Sequence, residues 1–246
     1  LTLGIDSVRV PMINAMTLQV NGNALTLSQA LWQEMEEAAP DLIGAGHAPL
    51  VARALAAVVA KRAATGAPRI VLASVFPYSV QNYMVRQWLA SGGLDPDRDV
   101  RLTVVPPPHT VAHLSAKAID GYCVGEPWNE QLVNQDIGFT AATTGELWFK
   151  HPEKILGMRA DWVDAHPRAT KAILMAVMEA QQWCDKLENK QEMAEIIGRR
   201  QWFNVPVADI IGRANGDINY GNGRVEKGTK QFMKFWQDHA SYPFKS

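Results

Sequence analysis

The sequence predicts an α/β protein, and three observations carry the prediction. Residues 69–75 (Arg-Ile-Val-Leu-Ala-Ser-Val) are a largely apolar run, the mark of a strand covered on both faces. Two further strand-like runs, 101–105 and 119–124, are separated from it by helix-compatible segments. Such alternation calls for right-handed crossovers and a parallel sheet. After residue 124 the chain turns predominantly helical.

In chain order, residues 16–27 read as extended, with a break at Asn21-Gly22-Asn23, residue types that tolerate unusual dihedrals. Ser28 is placed to cap a helix ending at Glu37, in which Leu31 and Met35 share a face. The Ala-rich stretch 50–64 is helical by propensity and stops at Gly66-Ala67-Pro68. After the first strand, Phe76-Pro77-Tyr78-Ser79 forms a turn, and a helix runs through Trp88 and Leu89 to Gly92-Gly93. A turn at 95–98 leads to the strand 101–105, which Pro106-Pro107-Pro108 ends. A short helix at 111–118 precedes the third strand, 119–124. Ligands of such sheets sit beyond the carboxyl ends of the strands. The turns 76–79, 106–110 and 125–128 are therefore expected to line one crevice.

In the second half, His166-Pro167 opens a helix reaching Leu187, with Ala169, Ala172, Ile173, Ala176, Val177 and Ala180 as its expected buried stripe. Further helices are expected at 191–199 and 232–239, with a turn-rich loop at 217–223.

Composition narrows the function. Hydrophobic residues make up 47% and charged residues 20%, a globular balance, and 24 basic against 25 acidic residues leave a net charge of −1. No nucleic-acid backbone or anionic membrane is favoured as a direct partner, so charge selectivity must come from local placement. Cys123 and Cys184 form no Cys-x-x-Cys pair and are expected to be two buried thiols. The first residues contain no basic region followed by an apolar core, and no apolar run spans a bilayer. The start at Leu1 favours a processed chain or a piece of a longer one.

No Gly-x-Ser-x-Gly elbow, phosphate-binding loop, His-Glu-x-x-His helix or dinucleotide fingerprint is present, so no catalytic residue and no enzymatic activity is expected. Of the six histidines only His109 and His113 have ligand-like spacing. Pro108 places His109 ahead of the helix, so no metal site is assigned there.

The segment 120–129 carries the most information. Gly125 allows close backbone approach, Pro127 biases Glu126 toward extended geometry, and Trp128 offers a large wall with one donor. Glu126 is the leading carboxylate, either a ligand contact or a brace between strand and loop. Trp128 is either a pocket wall or a core plug. Lys154, in His151-Pro152-Glu153-Lys154, is the leading cation, set against the ordinary reading of a solvated lysine. Asn23 and Gln81 are neutral amides able to donate to an anion, set against turn and capping roles. Neutral donors, one cation and an aromatic wall suit reversible binding of a small anion better than bond-breaking.

Several segments resemble one family. They are Asn21-Gly22-Asn23-Ala24, Val105-Pro106-Pro107-Pro108, the run 120–129 with Gly-Glu-Pro-Trp-Asn, Thr144-Gly145-Glu146-Leu147-Trp148 and His151-Pro152-Glu153-Lys154. Met158-Arg159-Ala160-Asp161-Trp162-Val163, residues 176–185, Tyr220-Gly221-Asn222 and Ala240-Ser241-Tyr242-Pro243 belong with them. Together they resemble the nitrate- and bicarbonate-binding proteins of ATP-binding-cassette uptake systems and the related cytoplasmic nitrate sensors.

The resemblance implies a type II periplasmic-binding-protein fold: two lobes with parallel-type sheets flanked by helices, closing on a ligand. It implies that residues 1–24 end lobe one and cross over, 25–128 form lobe two, and 129–246 return to lobe one and the C-terminal helices. Lobe one would be incomplete in this piece. Nitrate binders place Gln where Asn23 stands and His where Gln81 stands, and they share the Lys of Lys154. Bicarbonate binders have Glu at Lys154 and use it to bind calcium. Lys154 thus favours nitrate or nitrite and no cofactor, with calcium needed only for bicarbonate, while Gln81 pulls the other way. The implied partners are the anion and a membrane permease and ATPase, with a periplasmic or membrane-anchored location. The alternatives are a cytoplasmic nitrate sensor or a receptor-like domain of a transporter ATPase.

Overall fold

The computed structural model describes residues 9–44, 46–229, 232–237 and 240. Strand β1 (Met12–Val20) leads through Asn21 and Gly22, at φ 57° and 88°, into β2 (Asn23–Ser28). This left-handed pair turns the chain sharply, and the glycine carries the larger excursion. Helix α1 (Gln29–Ala38) starts as expected, because the Ser28 hydroxyl accepts from the Leu31 amide at 3.2 Å. Helices α2 (Pro40–Gly44) and α3 (Ala48–Thr65) follow, and Gly66 ends α3 in the left-handed region.

The expected strand–helix–strand unit is present: β3 (Val71–Ser74), α4 (Val80–Ser91), β4 (Arg101–Val104), α5 (Thr110–Ser115) and β5 (Gly121–Gly125). β3 pairs in parallel with both β4 and β5. The chain continues through α6 (Trp128–Asn134) into β6 (Gly138–Thr143). The five-stranded sheet has the order β4-β3-β5-β2-β6. It is mixed, because β2 inserts between β5 and β6 antiparallel to both. That insertion is a long-range pairing that local periodicity does not encode.

Alternation along the strands builds a core on each face. Leu72 and Cys123 pack with Leu31, Leu55 and Trp88 on one side; Ala73, Tyr122 and Val124 pack with Trp128, Leu132 and Ile210 on the other. The two glycines that begin β5 and β6 have no room for a side chain. A Cβ at Gly121 would lie 2.4 Å from Leu27 Cδ2, and one at Gly138 2.2 Å from the Leu27 carbonyl oxygen.

After α7 (Thr144–Leu147), strand β7 (Pro152–Arg159) returns antiparallel to β1 as a separate two-stranded ribbon. Helices α8 (Ala160–Ala165), α9 (Pro167–Asp185), α10 (Lys190–Ile197) and α11 (Ile211–Ala214) follow. The short strands β8 (Ile218–Asn219) and β9 (Val225–Glu226) form a hairpin within the turn-rich region.

Two expectations about helices fail in this half. The stripe predicted on α9 does not face the core: Ala169, Ala172, Ile173, Ala176 and Ala180 are exposed and Val177 is half-buried. The buried side chains are Thr170, Gln181 and Asp185. The face is set by polar anchoring. Gln181 Nε2 lies 2.8–3.1 Å from the carbonyl oxygens of Thr17, Leu18 and Phe235, and Asp185 accepts from the amides of Phe235, Trp236 and Gln237. The second failure is the helix expected at 232–239. Of its described residues, 232–236 are not helical and Lys234 bridges to β1, exchanging both backbone hydrogen bonds with Val20, while Gln237 lies in a 3-10 turn. His239 and residues 241–243 lie outside the described residues, as do residues 1–6. Cys123 is buried as expected, whereas Cys184 is half-buried, and both thiols are free.

Candidate functional site

All six residues singled out from the sequence, Asn23, Gln81, Gly125, Glu126, Trp128 and Lys154, line one cavity of about 690 Å³. Two of the three strand-end turns reach it directly, through Pro107–Pro108 and 125–128. The first contributes its flanks, Val75 and Gln81, while Phe76 and Tyr78 are each 53% exposed and lie outside the lining. His109 and His113 are exposed, and no group of three or more His, Cys, Asp or Glu residues suited to a metal occurs among the described residues.

The polar corner is assembled by three elements. The β1–β2 turn delivers Asn23 opposite Gly125 in the β2–β5 ladder. The Ser79 hydroxyl caps α4 by accepting from the Asn82 amide, which sets Gln81 in the first turn. β7 brings Glu153 and Lys154, with Lys154 opposite Gln19 of β1. Gln81 Nε2 donates to Asn23 Oδ1 at 3.0 Å and to Glu153 Oε1 at 2.8 Å. Lys154 Nζ pairs with the same Glu153 oxygen. The Glu153 side chain is 1% exposed and that of Lys154 59%. Asn23 Nδ2 and Glu153 Oε2 are buried and have no hydrogen-bond partner among the described residues.

Behind this corner, Thr144 Oγ1 lies 3.1 Å from the Asn23 carbonyl oxygen and 2.7 Å from His151 Nε2. His151 is fully buried, and desolvation pushes its pKa below the ordinary value. Through Thr144 the His151 ring supports the strand that presents Asn23.

The other wall centres on Glu126, joined to Pro127 by a cis peptide. Glu126 Oε1 accepts from Arg213 Nη1 at 2.7 Å and from Asn129 Nδ2 at 3.2 Å, and Oε2 accepts from the Glu130 amide at 3.2 Å. Both oxygens are thus engaged by protein donors, the arrangement of a brace between strand and loop. Arg213, 4% exposed, also donates to Thr140 Oγ1 at 2.6 Å. Trp128 is 7% exposed and meets Phe203 edge to face at 6.1 Å, so it is wall and core plug together.

Glu130 sits against this brace, its oxygens 3.2–3.3 Å from the Arg213 amide. Burial first, and then the nearby Glu126, push its pKa from 4.5 up to about 7. A raised carboxyl pKa means stability that is complete below the ordinary value and lost as pH rises through about 7. Glu130→Gln, which keeps an acceptor for the Arg213 amide, is expected to stabilise the fold by about 2 kcal/mol at pH 8 and by nothing at pH 4. Urea titrations at the two pH values check this; equal effects at both would refute it.

Sequence reasoning missed Glu153 and Arg213. Glu153 lay inside a quoted segment, but alternation along β7 hides it beneath the lysine beside it. Arg213 carried no local signal, since its partner Glu126 is 87 positions away.

Comparison with known proteins places the chain in a family. A model of the NMT1-like family matches residues 1–198. The nitrate/nitrite binding protein NrtA of Nostoc sp. is 47% identical over 238 residues, which cover 97% of this chain and 51% of that protein. The bicarbonate-binding protein CmpA of Synechococcus elongatus is 43% identical over 174 residues, 69% of this chain and 39% of the relative. The chain thus spans about half the length of the first of these relatives. The crystal structure of the periplasmic nitrate-binding protein NrtA from Synechocystis superposes with a TM-score of 0.83 at 42% identity, covering 98% of this chain and 59% of that one. The fold is that of a type II periplasmic binding protein. With its family model matched over residues 1–198 and its fold shared with a solved nitrate-binding protein, the chain belongs to the NMT1-like family.

Proposed function

We propose that this chain belongs to the solute-binding component of an ATP-binding-cassette uptake system and that its cavity binds nitrate or nitrite. The observation that carries the reading is the polar corner. Lys154 is a cation at the mouth of a cavity that also holds two buried neutral amides, Asn23 and Gln81. A small oxyanion leaving water needs donors and one compensating charge, and this corner offers the unpartnered Asn23 Nδ2, held by Gln81, and the Lys154 ammonium. Lys154 supplies that charge, so the site needs no metal for nitrate. Bicarbonate is the alternative ligand and would require calcium in place of the lysine's charge. The relatives named for nitrate match more of the chain than the relative named for bicarbonate, which supports the first choice. In this reading the protein acts outside the cytoplasm and hands its anion to a membrane permease with its ATPase, without turning it over.

Isothermal titration of the full-length protein with nitrate, nitrite and bicarbonate, the last with and without calcium, tests the proposal. Calcium-independent binding of nitrate or nitrite is expected. Binding of bicarbonate alone, and only with calcium, would replace the nitrate reading by the alternative.

A further inference from the structure

The four polar residues of the corner do not play equivalent parts. Gln81 Nε2 has two hydrogens, and both are used: one reaches Glu153 Oε1 at 2.8 Å, the other Asn23 Oδ1 at 3.0 Å. The orientations are fixed by chemistry. A carboxylate only accepts, so the Gln81 atom facing Glu153 must be its nitrogen. The second hydrogen of that nitrogen then requires an acceptor, so the Asn23 atom facing it must be its oxygen. That forces Asn23 Nδ2 to the opposite side, where it is buried and without a partner among the described residues. Asn23 is 2% exposed and Gln81 4%, so neither amide has solvent to reorient it. A buried donor left unpaired is costly, and an anion seated against it removes the cost.

We infer that Glu153 is a positioning residue which, through Gln81, locks the Asn23 amide with its NH2 group toward the ligand, so that Asn23 and Lys154 are the anion's donors and Gln81 is not. The inference rests on the anion-binding reading and deepens it. It gives a buried carboxylate at an anion site a purpose. Glu153 is repelled by the ligand, yet it holds both donors in place, Lys154 by direct pairing and Asn23 by relay. It also explains how a site with Asn and Gln at these two positions can present a single orientation of each amide.

The opposing view, that Gln81 contacts the anion, makes a prediction of opposite sign. Under that view Glu153→Met removes a negative charge and frees a Gln81 hydrogen, so binding tightens. Under the relay, Glu153→Met releases the Asn23 amide to rotate, and nitrate affinity falls about tenfold, the value of one oriented charge-assisted hydrogen bond. Glu153→Gln retains an acceptor for Gln81 and is expected to recover affinity to within about threefold of the unsubstituted protein. The test is calorimetric titration of nitrate into the full-length protein and both variants, with melting curves to confirm folding, and nuclear magnetic resonance of the Asn23 side-chain amide. That amide resonance is expected to move on nitrate addition. Should Glu153→Met fail to fold, the resonances decide: the relay moves the Asn23 amide on nitrate addition, whereas a direct Gln81 contact moves the Gln81 amide and leaves that of Asn23 in place. Undiminished or tighter binding by the methionine variant, or an Asn23 resonance indifferent to nitrate, overturns the relay alone. An unsubstituted protein that binds none of nitrate, nitrite or bicarbonate overturns the anion reading and the relay with it.

Discussion

Replacing Arg213 with methionine is expected to destabilise the fold by about 3 kcal/mol, the largest single effect on stability anticipated here. The Glu126 and Arg213 side chains are 14% and 4% exposed, so their 2.7 Å pair is shielded from water. Removing only the arginine strands the carboxylate with two remaining donors, Asn129 Nδ2 and the Glu130 amide. It also deprives Thr140 Oγ1 and the Asn219 carbonyl oxygen of a donor. The cost therefore reflects an uncompensated buried charge rather than the worth of the pair. The double variant Glu126→Gln, Arg213→Met is expected to recover part of the loss, because it deletes the stranded charge. Urea denaturation of the three proteins measures this. A loss below about 1 kcal/mol for Arg213→Met would mean that water already reaches the pair.

The largest effect on binding is expected from Lys154→Glu. The substitution replaces the one cation of the polar corner with an anion, beside the buried Glu153. Opposite charges about 4 Å apart near a protein surface attract by up to about 4 kcal/mol, and reversing one sign turns attraction into repulsion. Lys154 is 59% exposed, so solvent screening reduces that figure. A fall of at least about a hundredfold in nitrate affinity remains the expectation. Lys154→Arg keeps the charge but not the compact ammonium, and it is expected to fall between the two. Calorimetry showing unchanged affinity for the glutamate variant would remove Lys154 from the site.

Legibility in the sequence followed the range of the interactions. The apolar runs at 69–75 and 119–124, the Ser28 cap and the Gly66 stop are decided within a few residues, and the structure has them close to where the sequence put them. The antiparallel entry of β2 was not legible, because its partners are about a hundred residues away and residues 23–28 are compatible with any neighbour. The buried face of α9 was misjudged because small apolar residues occur all round that helix. Its orientation was chosen instead by Gln181 and Asp185 binding distant backbone. The segment 232–236 went the same way, since Lys234 pairs with Val20 of the distant β1 and one buried carboxylate, Asp185, holds the amides that follow.

The candidate site divides along the same line. By itself the sequence determined the α/β class, the parallel unit and the six residues that meet at the cavity, because strand ends, caps and turn chemistry are local. Only the tertiary structure decided what each of those side chains does. Glu126 became a brace because Arg213 arrives from α11, and Gln81 spends both its hydrogens because Asn23 and Glu153 arrive from β2 and β7. Hydrogen-bond capacity is finite and is allocated by whichever groups the fold brings within about 3 Å. Residue type states what a side chain can donate or accept, and only the assembled neighbourhood states what remains for a ligand.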